Sequence, residues 1–91
     1  MKKIIVYGSS WWPSCTPAKE FLLENNVDFE YYDIDEDELA KERFEKLRNN
    51  FEIYESVKEA GKVGIPTFVI NGKPYINIMS RLDEISDLLD I

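Results

Sequence analysis

The chain has 91 residues, with 11 basic against 18 acidic side chains for a net charge of −7, and a pI of about 4.5. Nucleic acid and anionic membranes are met by concentrated Lys and Arg, so neither is an expected partner, and the acidity serves solubility. A lone cysteine, Cys15, and no histidine exclude an internal disulfide and a structural zinc site, so no metal or bound cofactor is expected.

The apolar share of 44% and aromatic share of 13% suffice for one modest core, which predicts a single domain over residues 1–91 and argues against disorder. The first apolar run, Ile4 to Tyr7, is too short for a signal-peptide core or a membrane span. A lone thiol also fits a reducing compartment, so the expected location is the cytoplasm.

Lys3 to Tyr7 is a β-branched run, as in a strand buried on both faces. It reaches a turn at Gly8-Ser9-Ser10. Pro13 to Asn25 reads as a helix with Ala18, Phe21 and Leu22 on one face, stopped at Asn25-Asn26. Phe29 to Ile34 reads as a second strand. Asp35 to Asn50 is a helix with acidic residues where its N-terminus favours them and a core stripe of Ala40, Phe44 and Leu47. Phe51 to Ala60 continues helically until Gly61. Thr67 to Ile70 is a strand, Asn71-Gly72 signals a two-residue hairpin turn, and Tyr75-Ile76 is the last strand. Ser80 is placed to cap a final helix whose apolar face is Leu82, Ile85, Leu88 and Leu89. The order is β-α-β-α-α-β-β-α, beginning with a right-handed parallel βαβ unit.

The stretch Trp12-Pro13-Ser14-Cys15-Thr16-Pro17-Ala18-Lys19, after a strand and a turn, resembles the start of a glutaredoxin, where Cys-Pro-x-Cys is followed two residues later by Ala-Lys. Further along, Gly64-Ile65-Pro66-Thr67-Phe68 resembles the family's cis-proline turn, and Val69-Ile70-Asn71-Gly72-Lys73 its hairpin. The longer segment before Val63 resembles a bacterial subgroup of small glutaredoxin-related proteins with extra helix there. The resemblance covers essentially the whole chain. It implies an α/β thioredoxin fold, glutaredoxin-like, with a four-stranded mixed sheet flanked by helices. It also implies thiol–disulfide oxidoreductase ancestry.

The same resemblance puts Trp12 where the family carries its attacking cysteine. An indole is not a nucleophile, so dithiol exchange is expected to be impaired or absent. Cys15 falls at the resolving position, about one turn inside the helix. It reads either as a small buried thiol or as a weakly reactive one that forms mixed disulfides. A rival register starts a monothiol motif at Cys15, favoured by Pro17 and opposed by the Ala18-Lys19 match. Trp11 and Trp12 read as aromatics covering the sheet end or as a partner-binding surface.

The resemblance implies that Pro66 faces the motif and that the Ile65 backbone pairs with an extended peptide or glutathione. Pro13 and Ser14 belong to the same motif. Lys62 is a candidate for a substrate carboxylate, and Ser80 offers a helix start to one. The family's Gly-Gly pair and Asp before the last helix are replaced by Ile76-Asn77-Ile78-Met79-Ser80-Arg81, so glutathione is a doubtful substrate. Asp33, Asp35 and Asp37 alternate like a calcium loop but lack its glycine and distal Glu. They read as a solvated helix start.

Three readings follow: a glutaredoxin-like oxidoreductase resting on Cys15, a non-catalytic peptide- or protein-binding module, and a variant or designed scaffold. The expected partners are glutathione or a thiol-containing or extended peptide or protein.

Overall fold

The computed structural model of the protein describes residues 3–91. Strand β1 (Ile4–Gly8) leads to helix α1 (Cys15–Glu24), β2 (Glu30–Asp33) and α2 (Glu38–Asn50). A 3₁₀ turn and the short α3 (Glu55–Glu59) precede the hairpin β3 (Thr67–Ile70) and β4 (Lys73–Tyr75). A second 3₁₀ turn (Ile78–Ser80) precedes α4 (Leu82–Leu89). The sheet order is β2-β1-β3-β4. β1 runs parallel to β2 and antiparallel to β3, and β3 runs antiparallel to β4. This is the mixed four-stranded sheet and element order expected from the sequence.

The period of two along the strands sorts the core into two layers. Ile4 and Val6 of β1 join Phe68 and Ile70 of β3 on one face. There they meet Ala18 and Leu22 of α1 and Ile85 and Leu89 of α4. Tyr7 and Val69 face the other way, against Ala40 and Phe44 of α2 and against Tyr54 and Val57. Helices therefore cover both faces, which is why β1 and β3 read as continuous apolar runs.

The predicted stops are present as hydrogen-bonded motifs. After α1, Asn26 takes φ 55°. The Asn26 N–H donates to the Leu23 carbonyl at 3.2 Å and the Val27 N–H to Leu22 at 3.0 Å. That is a Schellman cap with Asn in the left-handed position. After α3, Gly61 (φ 70°) makes the same cap, with Lys62 donating to the Val57 carbonyl at 2.7 Å. Asn71 and Gly72 both have positive φ, 52° and 86°, as a type I′ hairpin turn requires.

Several boundaries differ: β2 is shorter than Phe29 to Ile34, α2 begins at Glu38 rather than Asp35, and the segment expected to be helical over Phe51 to Ala60 splits into a 3₁₀ turn and α3. Helix α1 begins at Cys15 rather than Pro13, because residues 12–15 first close a turn in which the Cys15 N–H donates to the Trp12 carbonyl at 3.1 Å. Pro17 then sits in the first helical turn, where its missing N–H costs nothing. The last strand is Lys73–Tyr75 rather than Tyr75-Ile76. Pro74 is accepted there, opposite Val69, because β4 is an edge strand. Ser80 does not cap α4. Its hydroxyl donates to the Asn77 carbonyl at 2.8 Å, closing the preceding 3₁₀ turn, and Arg81 occupies the cap position without a side-chain capping bond.

Candidate functional site

The loop between β1 and α1 is held to the β2–α2 loop by carboxylates. Asp33 accepts from the Ser10 N–H at 3.1 Å and from the Asp35 N–H at 2.8 Å. Asp35 in turn accepts from the Ser9 hydroxyl, and the same hydroxyl accepts from the Trp11 N–H at 3.2 Å. Asp37 caps α2 by accepting from the Leu39 and Ala40 amides at 3.0 and 3.2 Å. The three alternating aspartates thus each have a local structural partner. Among the described residues no group of three or more His, Cys, Asp or Glu side chains is arranged to hold a metal ion.

Cys15 lies at the first residue of α1, not a turn inside it, yet its side chain is turned into the core and only 2% exposed. The sulfur accepts from the Ser9 N–H at 3.4 Å. It packs with Tyr7, Ala40, Phe44 and Ile65 in the layer under α2 and α3. Burial pushes the thiol above its ordinary value. The Ser9 hydrogen bond opposes this, and the nearby Asp33 and Asp35 carboxylates add to it. The protonated thiol is therefore the resting form near neutrality, against the usual effect of a helix start.

Beside it a groove of about 310 Å³ runs between the Trp12 turn and the segment leading out of β4. Trp12 and Ser14 form one side, and Lys62, Gly64, Ile65 and Pro66 form another. Ile76 to Ser80 close it, with Val57 beneath. The Ile65–Pro66 bond is cis. Of the residues singled out in the sequence, Trp12, Ser14, Lys62, Ile65, Pro66 and Ser80 meet at this groove. Cys15, Pro13 and Trp11 do not line it. Trp11 is 82% exposed and Trp12 39%. The groove side of the motif is thus occupied by an indole, while the thiol faces the core.

Among the described lining residues Lys62 alone is ionisable. Among the described residues no hydrogen bond engages the Ile65 amide or carbonyl.

The sequence reading set Ile76 to Arg81 opposite the family's glutathione-binding stretch but named only Ser80 of it as a site residue, because Ile76 to Met79 carry no motif. It missed Tyr54. That ring is fully buried under the loop containing Pro66. Thr67 spends its only hydroxyl proton on the Gly64 carbonyl at 2.7 Å, so the Tyr54 hydroxyl donates to Thr67 Oγ1 at 2.9 Å. Gly64 (φ +95°) lies so close that a Cβ there would meet the Tyr54 ring at 3.1 Å. This network props the loop from behind, and its one sequence signal is the glycine.

Burial, opposed by the Thr67 bond and the Arg48 charge, pushes Tyr54 up to about 12. Cys15 and Tyr54 are both held protonated in the fold, whereas an unfolded chain ionises them at about 8.5 and 10. Above those values the unfolded state binds fewer protons than the native state, so stability falls as pH rises. The expected result is a urea midpoint that declines from about pH 8.5 towards 12. In Cys15→Ala the first part of that decline should disappear. A midpoint that is flat across this range would contradict the buried, protonated assignments.

The glutaredoxin family model matches residues 4–76, most of the sequence. The chain belongs to the glutaredoxin family. Solved structures agree. A single-site mutant of the thioredoxin-like protein BC3987 is 31% identical with a TM-score of 0.71, the match covering 100% of this chain and 99% of that one. The glutaredoxin from Methanosarcina mazei Go1 is 29% identical with a TM-score of 0.72, covering 98% and 79%. The glutaredoxin from Archaeoglobus fulgidus is 27% identical with a TM-score of 0.67, covering 97% and 86%. No curated protein is similar enough to match. Among the described residues of this glutaredoxin no helix is long and apolar enough to cross a membrane.

Proposed function

We propose that this glutaredoxin-family protein has lost dithiol exchange and keeps the groove as a binding site for an extended peptide or thiol-bearing ligand. The family generally works with glutathione and protein thiols. Exchange requires a thiolate that reaches a partner sulfur. The observation that carries the proposal is the inversion at the motif. Trp12 stands at the groove, and Cys15, the lone sulfhydryl, is 2% exposed and held protonated. What remains for binding is the apolar wall and the unpaired backbone of Ile65, suited to main-chain pairing with an added strand.

A second reading keeps a monothiol role for Cys15. The Ser9 N–H on its sulfur favours it, since that bond would stabilise a thiolate. One experiment separates the two. The folded protein is incubated with oxidised glutathione and its intact mass is recorded with and without reductant. Attack by the Cys15 thiolate would join its sulfur to one glutathione and release the other as a thiol. No adduct is expected until denaturant is added. A reducible adduct on the native protein would overturn the proposal in favour of the monothiol reading.

A further inference from the structure

We infer that the groove receives the C-terminal end of a partner polypeptide, with apolar last side chains and a free carboxylate held by Lys62. This rests on the binding reading above and names its ligand class. The charge of the lining is the deciding observation. The protein as a whole is strongly acidic at −7, yet no acidic side chain lines the groove and one basic side chain, Lys62, does. A ligand that matches this lining brings one negative group and no positive one.

Free glutathione carries an ammonium and two carboxylates, and its ammonium has no charged counterpart among the lining side chains. Arg81, which directly follows the lining residue Ser80, is already committed to Glu84 at 2.9 Å and to the Ile76 carbonyl at 3.3 Å. The other lining side chains are uncharged: Trp12, Val57, Ile76, Ile78 and Met79 are apolar, and Ser14, Asn77 and Ser80 are neutral polar groups. Met79 is 42% exposed and Trp12 39%.

Size and backbone argue for a chain end rather than a passing segment. The volume of about 310 Å³ is at the bottom of the range for small-ligand sites, roughly 300–1,000 Å³. It takes a short stretch of residues. Such a stretch buries its side chains and leaves in one direction only if it terminates there.

The unpaired Ile65 amide and carbonyl supply main-chain bonds, and Lys62 follows three residues earlier on the same strip of chain. The Lys62 backbone is fixed: its N–H donates to Val57 and its carbonyl accepts from Arg48 Nη2 at 3.1 Å. Its side chain is exposed and makes no ion pair among the described residues. The ammonium is therefore free to reach a carboxylate at the rim.

The test titrates the isotope-labelled full chain with a short acetylated peptide ending in Val-Val-Leu. The peptide is used as its free acid, as its amide, and as an amide carrying an internal Glu. Amide-resonance shifts at Lys62, Ile65 and Ile76 to Met79 are followed. The free acid is expected to shift these residues and to bind about five-fold more tightly than the amide, the size of one exposed charge pair. In Lys62→Met, which keeps the apolar stem, acid and amide should bind alike.

Equal binding of acid and amide to the unsubstituted protein would overturn the inference and leave the groove reading intact. Preference for the internal Glu peptide would overturn it in favour of an acidic segment. Failure of all three peptides to move the groove resonances would overturn both readings. Native glutathionylation, by contrast, bears on the loss of exchange alone.

Discussion

Trp12→Cys is expected to convert this protein into an active dithiol glutaredoxin. The Cys15 N–H donates to the Trp12 carbonyl at 3.1 Å, which closes a four-residue turn whose end Cα atoms lie within 7 Å. A disulfide needs Cα atoms about 4.4–6.8 Å apart, so a new thiol at position 12 is within bridging range of Cys15. It would also face the groove, where Trp12 now does, and stand just before the first helical turn, where free N–H groups stabilise a thiolate.

The expected gain can be bounded. Cys15, pushed above its ordinary value, offers a few per cent thiolate at most near neutrality, whereas helix-start thiols with lowered pKa are roughly half ionised or more. The lower nucleophilicity of such thiolates returns part of that advantage. The net rise is roughly tenfold before the gain from exposure is counted.

The measurement is turnover of a mixed disulfide with reduced glutathione, together with a free-thiol count after oxidation. Trp12→Cys should lose both free thiols on oxidation. With Cys15→Ser added, attack at position 12 should persist without the internal bridge. A folded Trp12→Cys protein with neither turnover nor bridge would show that position 12 does not present its side chain to the groove.

Much of this arrangement is readable from the residues because the signals are local. The β-branched run Lys3 to Tyr7, the Asn71-Gly72 turn and the stripe Ala40, Phe44 and Leu47 each specify an element through its own period or turn chemistry. The pairing of Trp12 with Pro66 across a groove came through the family resemblance, since no local rule brings residues so distant in sequence together.

What escaped the sequence has a physical reason in each case. Whether a thiol at a helix start points outward or inward depends on a rotamer and on neighbours such as Gly8 and Tyr31. Spacing therefore could not decide between the two readings of Cys15. Ser80 satisfies the statistics of an N-cap, yet its hydroxyl finds the Asn77 carbonyl first, as short polar side chains near turns commonly do. Tyr54 resembles any aromatic on an amphipathic segment, and its bond to Thr67 joins residues that only the tertiary fold aligns.

Gly8→Ala is expected to be strongly destabilising, and its effect reports on the pocket around the thiol. Gly8 ends β1 in ordinary backbone space, so the argument is steric. An added Cβ would lie 2.9 Å from the Tyr31 hydroxyl, 3.1 Å from Cys15 Sγ and 3.3 Å from Tyr31 Cε2. The backbone there has little freedom to retreat. The Gly8 carbonyl accepts from Ile34 at 2.9 Å, and the next amide, that of Ser9, is engaged with the sulfur. Tyr31 is itself held, with Lys19 Nζ 4.4 Å from its ring centre.

Relief must come from displacing Tyr31 or the thiol, which for core overpacking costs about 1–3 kcal/mol. The lower chain entropy of unfolded Ala offsets about 0.4–1 kcal/mol of this, so destabilisation wins. At about 4–8 °C per kcal/mol for a domain of this size, the expected fall in Tm is several degrees, up to roughly 15 °C.

Tyr31→Phe removes the shortest contact, so Gly8→Ala should cost less in that background, and a double-mutant cycle reads the difference. Because the other way out is through Cys15, the folded Gly8→Ala protein should also react faster with a thiol reagent than the unsubstituted one. A Gly8→Ala protein with unchanged Tm and unchanged thiol reactivity would mean that the sulfur is not packed against this strand end. The burial that silences Cys15 in the proposed function would then lose its structural basis.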